Sequence, residues 1–263
     1  GDGVFRSTDR GRTWRSANFG LLDLVVLVLA ASPEWSEEET AFAVTPGGLF
    51  RSGNGGRAWR MVEGDVEDQP GVALAVSPNF GRDGTALLGT EGRGVWRSRD
   101  GGQSWAPVGL DDDVVNSLAF SPRYAADATI YAGASEHGLC RSTDGGERWE
   151  RLAERYETSS IYTGAAAIVA FSPTYGQDRT IFLAHGGLYR STDGGETWTS
   201  LPGLEPTTLA LSPDFARDGT MFGWFGRSGL LRSTDGGDTW QPAVKGLYLH
   251  GHGGAHLVTA PDY

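Results

Sequence analysis

Three histidines fall within seven residues, at His250, His252 and His256 of His-Gly-His-Gly-Gly-Ala-His. Imidazoles gathered this closely can share Zn²⁺ or another transition metal, with a nearby carboxylate completing the set. The spacing matches no ligand signature, and the glycines leave the loop unconstrained, so a solvated loop is the competing reading. Carboxylates cluster at Asp65, Glu67 and Asp68 and again at Asp111, Asp112 and Asp113. Two carboxyls about 5–9 Å apart across a cleft suit glycoside hydrolysis, while the same hard oxygens suit Ca²⁺. Acidic surface loops on an acidic protein are the plain alternative. The one cysteine, Cys140, allows no internal disulfide.

The whole chain sets limits on its partners. There are 22 basic and 33 acidic residues among 263, a net charge of −11. Such a body repels phosphate backbones and anionic lipid, which argues against nucleic acid and membrane surfaces. The longest apolar run, Leu24–Ala31, is eight residues, far below the roughly 20 that a membrane helix needs. Aromatic residues at 11% and apolar residues at 39% are too abundant for a disordered chain. Glycine, at 40 residues, is about twice its usual share but has no three-residue period, which excludes collagen.

What must position these groups is a repeat. Aligned on Ser-x-Asp-x-Gly-x-Thr-Trp, six copies appear, three of them with substitutions, ending at Trp14, Trp59, Trp105, Trp149, Trp198 and Trp240. A second landmark, Ser-Pro, keeps the same period at 32–33, 77–78, 121–122, 172–173 and 212–213. The unit from Thr208 to Lys245 reads as four strands. Leu209–Leu211 ends at Ser212-Pro213, Asp214–Gly219 is a loop, Thr220–Trp224 is strand two, Leu230–Ser233 is strand three, and Thr239-Trp240 begins strand four. A single such sheet cannot bury its own apolar face; radial stacking of copies does so, which predicts an all-β propeller of four-stranded antiparallel blades. At about 45 residues per unit the chain holds about six blades as one domain over 1–263. Residues 256–263 match the start of a repeat and 1–14 its second half. The sixth blade is therefore expected to be split between the termini and to lack its second strand, so that either it closes with three strands or the chain is a piece of a longer one, the latter favoured because a gap within a sheet strands two edges.

These motifs are Asp-boxes, and the chain resembles the BNR/Asp-box propellers: sialidases, sortilin ectodomains, two-domain xyloglucanases and the photosystem II assembly-factor propeller. The resemblance covers essentially the whole chain and implies the fold, with an extracellular or envelope location favoured on that ground alone. It leaves function open, since one box serves enzymes, receptors and assembly factors. The sialidase Arg-Ile-Pro signature is absent, and no glutamate can be paired with Tyr156, Tyr162 or Tyr248 as nucleophile partner.

The box itself reads as structural. Paired glycines permit a tight turn with positive φ. Asp9, Asp100, Asp144, Asp193 and Asp235, with Asn54 in the second copy, accept the turn's N–H groups. Each tryptophan packs between sheets with its N–H on a carbonyl. Arg6, Arg51, Arg97, Arg141, Arg190 and Arg232, each preceding a box serine, read as blade-to-blade contacts. Arg82-Asp83-Gly84 and Arg217-Asp218-Gly219 share one repeat position and read as turn chemistry, and Cys140 as a buried small hydrophobe.

Function is expected where the repeats differ, on the face opposite the boxes. Loops between strands two and three offer Glu91, Arg93, Glu136, His137, His185 and Arg227, with Trp224 and Phe225 beside them as exposed stacking surfaces. Loops leading into the next blade add the acidic clusters and Tyr248. The expectation is a monomeric, non-catalytic binding or scaffold module without cofactor, taking a glycan or protein segment there. A carbohydrate-active enzyme using the acidic loops and a purely architectural repeat domain are the alternatives.

Overall fold

A computed structural model describes residues 2–35, 38–152, 168–203 and 205–243. Tyr156, Tyr162, Tyr248, the metal candidates His250, His252 and His256, and the closing segment 256–263 lie outside the described residues. Two compact units are present, residues 1–150 and 151–263.

In the first unit, a two-stranded sheet pairs β1 (Phe5–Arg6) with β2 (Arg15–Ser16). The second sheet is β3 (Val28–Ala31), β4 (Ala41–Thr45), β5 (Gly48–Ser52) and β6 (Arg60–Met61). The third is β7 (Gly71–Val76), β8 (Ala86–Thr90), β9 (Val95–Ser98) and β10 (Ala106–Pro107). The fourth is β11 (Val115–Phe120), β12 (Ile130–Ala134), β13 (Gly138–Ser142) and β14 (Glu150–Arg151), whose last residue opens the second unit. That unit holds β15 (Ile168–Phe171), β16 (Ile181–Ala184), β17 (Leu188–Ser191) and β18 (Thr199–Leu201), then β19 (Thr208–Leu211), β20 (Met221–Trp224), β21 (Leu230–Ser233) and β22 (Gln241–Pro242). All pairs are antiparallel and run in chain order, which makes these sheets the blades of an all-β propeller.

Strand two of a blade is apolar on both faces because a sheet covers each side. β4, β8 and β12 are buried at every position. Phe42 of β4 meets Phe80 and Trp105 of the third sheet edge-on, at centroid distances of 6.0 and 5.8 Å. Phe182 of β16 meets Phe215 of the next sheet at 5.5 Å in the same manner. Each ring contributes about 1.5–3 kcal/mol by burial. Cys140 is 1% exposed, as expected of a core residue.

The segment after each of the last four Ser-Pro pairs, read from sequence as a loop, is instead one helical turn: α1 (Phe80–Asp83), α2 (Tyr124–Asp127), α3 (Tyr175–Asp178) and α4 (Phe215–Asp218). The serine hydroxyl donates to the turn's aspartate, as in Ser77–Asp83 at 2.7 Å and Ser212–Asp218 at 2.8 Å. That carboxylate also receives the threonine N–H two residues on, at 2.8 Å for Thr85. Gly84 ends α1 in the left-handed conformation at φ 58°, and its carbonyl takes the N–H of Gly101 from the Asp-box. Arg82-Asp83-Gly84 is therefore turn chemistry, and it pins the strand-one-to-two connection to the box at one end of the blade.

Inside the box, the serine hydroxyl donates to the aspartate and accepts a glycine N–H: Ser98 lies 2.9 Å from Asp100 and 2.8 Å from the Gly102 nitrogen. The aspartate then accepts the N–H and hydroxyl four residues on, at 2.9 and 2.6 Å from Ser104. Thr13 and Thr239, and likewise Thr197, supply their hydroxyls to Asp9, Asp235 and Asp193. These bonds hold the carboxyls of Asp9 and Asp235 at about 2, with the threonine hydroxyl the leading cause. For Asp100 and Asp193 burial pushes upward, yet the same bonds prevail and the carboxyls again sit at about 2. Asp144 faces Arg148, which offers only its N–H, and Asn54 faces Ala58.

The box tryptophans behave in two ways. Trp59 and Trp149 reach back to the preceding sheet, donating to Ala17 O at 2.8 Å and Val108 O at 2.7 Å. Trp14, Trp105 and Trp240 donate within their own box, to Gly11, Gly102 and Gly237. Trp198 is half-buried. Trp14 departs from the expectation of packing between sheets, because 61% of it is exposed.

Of the strand-three arginines, Arg51, Arg97 and Arg190 bridge sheets, whereas Arg232 departs from the expectation and bonds within its own sheet among the described residues. Arg51 Nε donates to Gly101 O at 2.6 Å and Arg190 to Gly236 O at 3.0 Å, and Arg97 makes the same bond to Gly145. Arg97 adds Glu147 at 2.6 Å, and Arg190 adds Asp238 at the equivalent position, 3.3 Å away. Among the described residues no helix is long and apolar enough to cross a membrane.

Candidate functional site

Antiparallel order puts the turn between strands two and three at the same end as the connection into the next blade, opposite the boxes. Backbone bonds join the two loop sets. Glu91 N–H donates to Pro70 O at 3.0 Å, and Gly94 N–H to Asp113 O at 3.2 Å. In the second unit Gly186 N–H donates to the carboxylate of Glu205 at 2.9 Å.

The acidic run 111–113 divides sharply. Asp111 and Asp112 are exposed, whereas Asp113 is 1% exposed. Its carboxylate accepts the N–H groups of Glu136 at 3.0 Å and His137 at 3.2 Å, and lies 2.8 Å from Nδ1 of His137. Asp113 is thus no member of a solvated acidic loop; it is the anchor of the β12–β13 turn. With Nδ1–H directed at the carboxylate, Nε2 of His137 is the atom left for a ligand. A carboxylate just ahead of strand one, facing a turn rich in free N–H groups, is the sequence signal that marks it, and Glu205 obeys the same rule.

Glu91 and Arg93 are exposed on the β8–β9 turn, and Glu136 and His137 on the next one. Gly94 ties the first turn to the 109–113 loop that Asp113 ends, so these four candidates share one edge of the first unit. Asp65 and Asp68 are exposed on the connection that ends at Pro70, with Glu67 half-buried.

The second unit departs further from expectation. Phe225 is 3% exposed and packs edge-on against Trp240 at 4.7 Å, so it is a core residue and not a stacking platform. The chain leaves β20 there through a 3₁₀ turn at Gly226–Ser228, which carries the backbone of Arg227. That turn breaks the alternation and swings the ring inward. Trp224 and His185 are half-buried. Among the described residues no three His, Cys, Asp or Glu side chains gather as a metal site.

The BNR/Asp-box repeat model matches residues 189–200 and 231–242, two of the six boxes. The chain carries BNR/Asp-box repeats on a β-propeller fold. No curated protein sequence matches it. Among solved structures, this propeller is similar to the GH74 xyloglucanase from Xanthomonas campestris, at 20% identity and a TM-score of 0.68, over 91% of this chain and 42% of that one. YCF48 from Cyanidioschyzon merolae gives 16% identity and 0.57, over 90% and 76%. The extracellular domain of a putative one-component system from B. thetaiotaomicron gives 15% and 0.63, over 91% and 30%. The propeller spans about two fifths of the xyloglucanase and under a third of the sensor domain. At these identities the likeness establishes the fold.

Proposed function

We propose that this propeller is a non-catalytic binding module whose face opposite the Asp-boxes takes a protein segment rich in basic side chains. The carrying observation is the Asp113 anchor. A buried carboxylate fixes two backbone N–H groups and one imidazole, so Glu136 and His137 are presented in a set geometry and little ordering entropy is lost on binding. Around them the exposed charge is mostly acidic, from Asp65, Asp68, Glu91, Asp111, Asp112 and Glu136 against Arg93. Such a face attracts cations and speeds their encounter. Burial of Phe225 removes one of the aromatic platforms on which sugar rings would stack, which favours a polypeptide over a glycan. The likeness of this fold to the extracellular domain of a putative one-component system and to YCF48 supports a binding role.

The test is a random-peptide display selection on the immobilised protein, run beside a glycan array and a chromogenic glycoside panel. Enrichment of basic peptides, with affinity lost on Glu91→Gln and Glu136→Gln and falling with salt, supports the reading. Glycan binding alone, or glycoside turnover abolished by Asp→Asn changes at Asp65, Asp68, Asp111 or Asp112, replaces it.

A further inference from the structure

A cavity of about 530 Å³ lies between the second and third sheets, lined among others by Arg51, Gly53, Asn54, Arg60, Glu63 and Gln103. All of its lining residues are described and belong to the first unit. Its charge runs against that of the chain, whose net is −11. Arg51 and Arg60 face each other across the β5–β6 ladder, an arrangement of like charges that costs stability unless an anion joins them.

Four other strand-three arginines meet a carboxylate. Arg97 has Glu147 at 2.6 Å, Arg141 has Glu150 at 3.0 Å, and Arg6 and Arg190 have Glu39 and Asp238, each at 3.3 Å. Among the described residues Arg51 and Arg60 have none, exposed Glu63 included. The reason is written at the repeat positions. Glu147 and Asp238 follow the paired glycines of the next box, where Arg51 meets the neutral Gln103. The box carboxylate of the second sheet is itself replaced by Asn54, whose amide nitrogen is a donor without a partner among the described residues. Between serine and aspartate the other copies carry Thr8, Arg99, Thr143, Thr192 and Thr234, and this one carries Gly53. A Cβ there would stand 3.0 Å from Nη1 of Arg51, so the glycine leaves the guanidinium open. Arg51 gives its Nε–H to Gly101 O at 2.6 Å, which orients the fork and keeps both Nη groups for a ligand.

We propose that this cavity binds a small organic acid carrying two carboxylates, one on each arginine, with the Asn54 amide as a further donor. The ligand supplies from outside the carboxylate that Glu147 and Asp238 supply in other blades. Guanidinium forks match carboxylates in pairs of parallel bonds, and pockets of about 300–1,000 Å³ suit small molecules. An acidic polymer fits less well, because the surrounding body would repel the rest of it. The site lies beside the boxes and does not rest on the reading given for the loop face.

The experiment titrates the whole chain with succinate and with citrate by calorimetry, at low ionic strength in a buffer free of carboxylates. Saturable one-to-one binding is expected for both acids and none for their methyl esters. Arg60→Gln, at an exposed residue, weakens binding at least tenfold. Arg15→Gln leaves it unchanged, since Arg15 faces Arg6 in the same register but Glu39 already pairs with Arg6. Gln103→Glu supplies the carboxylate from within, so it abolishes binding and raises the melting temperature of the ligand-free chain. No saturation at tens of millimolar overturns the proposal, as does affinity indifferent to Arg60→Gln or Gln103→Glu, or equally reduced by Arg15→Gln. Tighter binding of phosphate or sulfate than of either acid overturns it too.

Discussion

Nδ1 of His137 lies 2.8 Å from Oδ2 of Asp113, and the two differ greatly in exposure, 49% of the histidine side chain against 1% of the aspartate. The pair is asymmetric: the aspartate holds the turn and the histidine displays itself. Asp113→Ala strands the N–H groups of Glu136 and His137 and is expected to cost about 2–4 kcal/mol. His137→Ala removes one partly solvated bond and should cost under about 1 kcal/mol. Urea denaturation of the two variants checks this. Equal losses would mean that the carboxylate is not the anchor.

Arginines at one repeat position are not equal in their bonds. Arg97 is 8% exposed, donates to Gly145 in the next sheet and pairs with Glu147. Arg232 bonds only to Thr220 of its own sheet at 3.5 Å and lies over the ring of Phe222 at 5.9 Å among the described residues. Arg97→Met is therefore expected to lower stability by about 2–3 kcal/mol, because it leaves a buried carbonyl without its charged donor. Arg232→Met should cost less than about 1 kcal/mol. Thermal unfolding monitored by tryptophan fluorescence separates them.

Much of this was legible in the sequence, and the reasons differ by element. Tryptophan at a period near 45, paired glycines and the preceding arginine mark the blades, because a sheet-to-sheet contact must be rebuilt in every copy. The one-turn helices such as Phe80–Asp83 escape notice since four residues are too few to show a helical period. Phe225 was misplaced because alternation predicts a direction only while the strand continues, and the 3₁₀ turn begins at the next residue. Asp113 is indistinguishable from Asp111 and Asp112 by type; only its register with β11 and the turn it faces sets it apart.

Acid should loosen the boxes over a defined range. Asp9, Asp100, Asp193 and Asp235 sit at about 2 in the folded chain, below the value of about 3.9 expected when unfolded. The folded state therefore binds fewer protons. The stabilisation is complete above about pH 4 and is lost as pH falls toward 2. The urea midpoint is expected to fall through that window, and Asp193→Asn should flatten the fall. Asp144→Asn should flatten it less, since Arg148 gives Asp144 an N–H but no hydroxyl. A midpoint indifferent to pH between 4 and 2 would contradict the assignment.

Gly102 tests how tightly one blade closes on the next. Its φ is +87°, and an added Cβ would meet the Phe42 ring at 2.2 Å. Gly102→Ala therefore combines backbone strain with overpacking and is expected to cost about 2–4 kcal/mol. Shrinking the ring opens space, so Phe42→Leu in the same chain should recover part of that loss and give a coupling of about 1 kcal/mol in a double-mutant cycle. Additive costs would show that strain at the turn alone, without the ring, decides the effect.

The second box has lost two features together. Asn54 accepts the Ser52 hydroxyl at 2.9 Å and the Ala58 N–H at 2.9 Å, but Ala58 has no hydroxyl to complete the set that Thr13, Ser104, Thr197 and Thr239 provide elsewhere. In Asn54 the second terminal atom is an amide nitrogen, a donor, so it needs no hydroxyl donor beside it. Asn54→Asp alone places an uncompensated carboxylate oxygen near Glu39, which already binds Arg6 and Arg57, and should be neutral or mildly destabilising. Ala58→Thr alone brings a hydroxyl whose proton finds no acceptor in that box. Together the two changes rebuild the charge-assisted bond, and the double variant is expected to be about 1 kcal/mol more stable than the sum of the single effects. The coupling should shrink as pH falls from about 4 toward 2 and the new carboxylate takes up its proton, a signature that improved packing at position 58 would not produce.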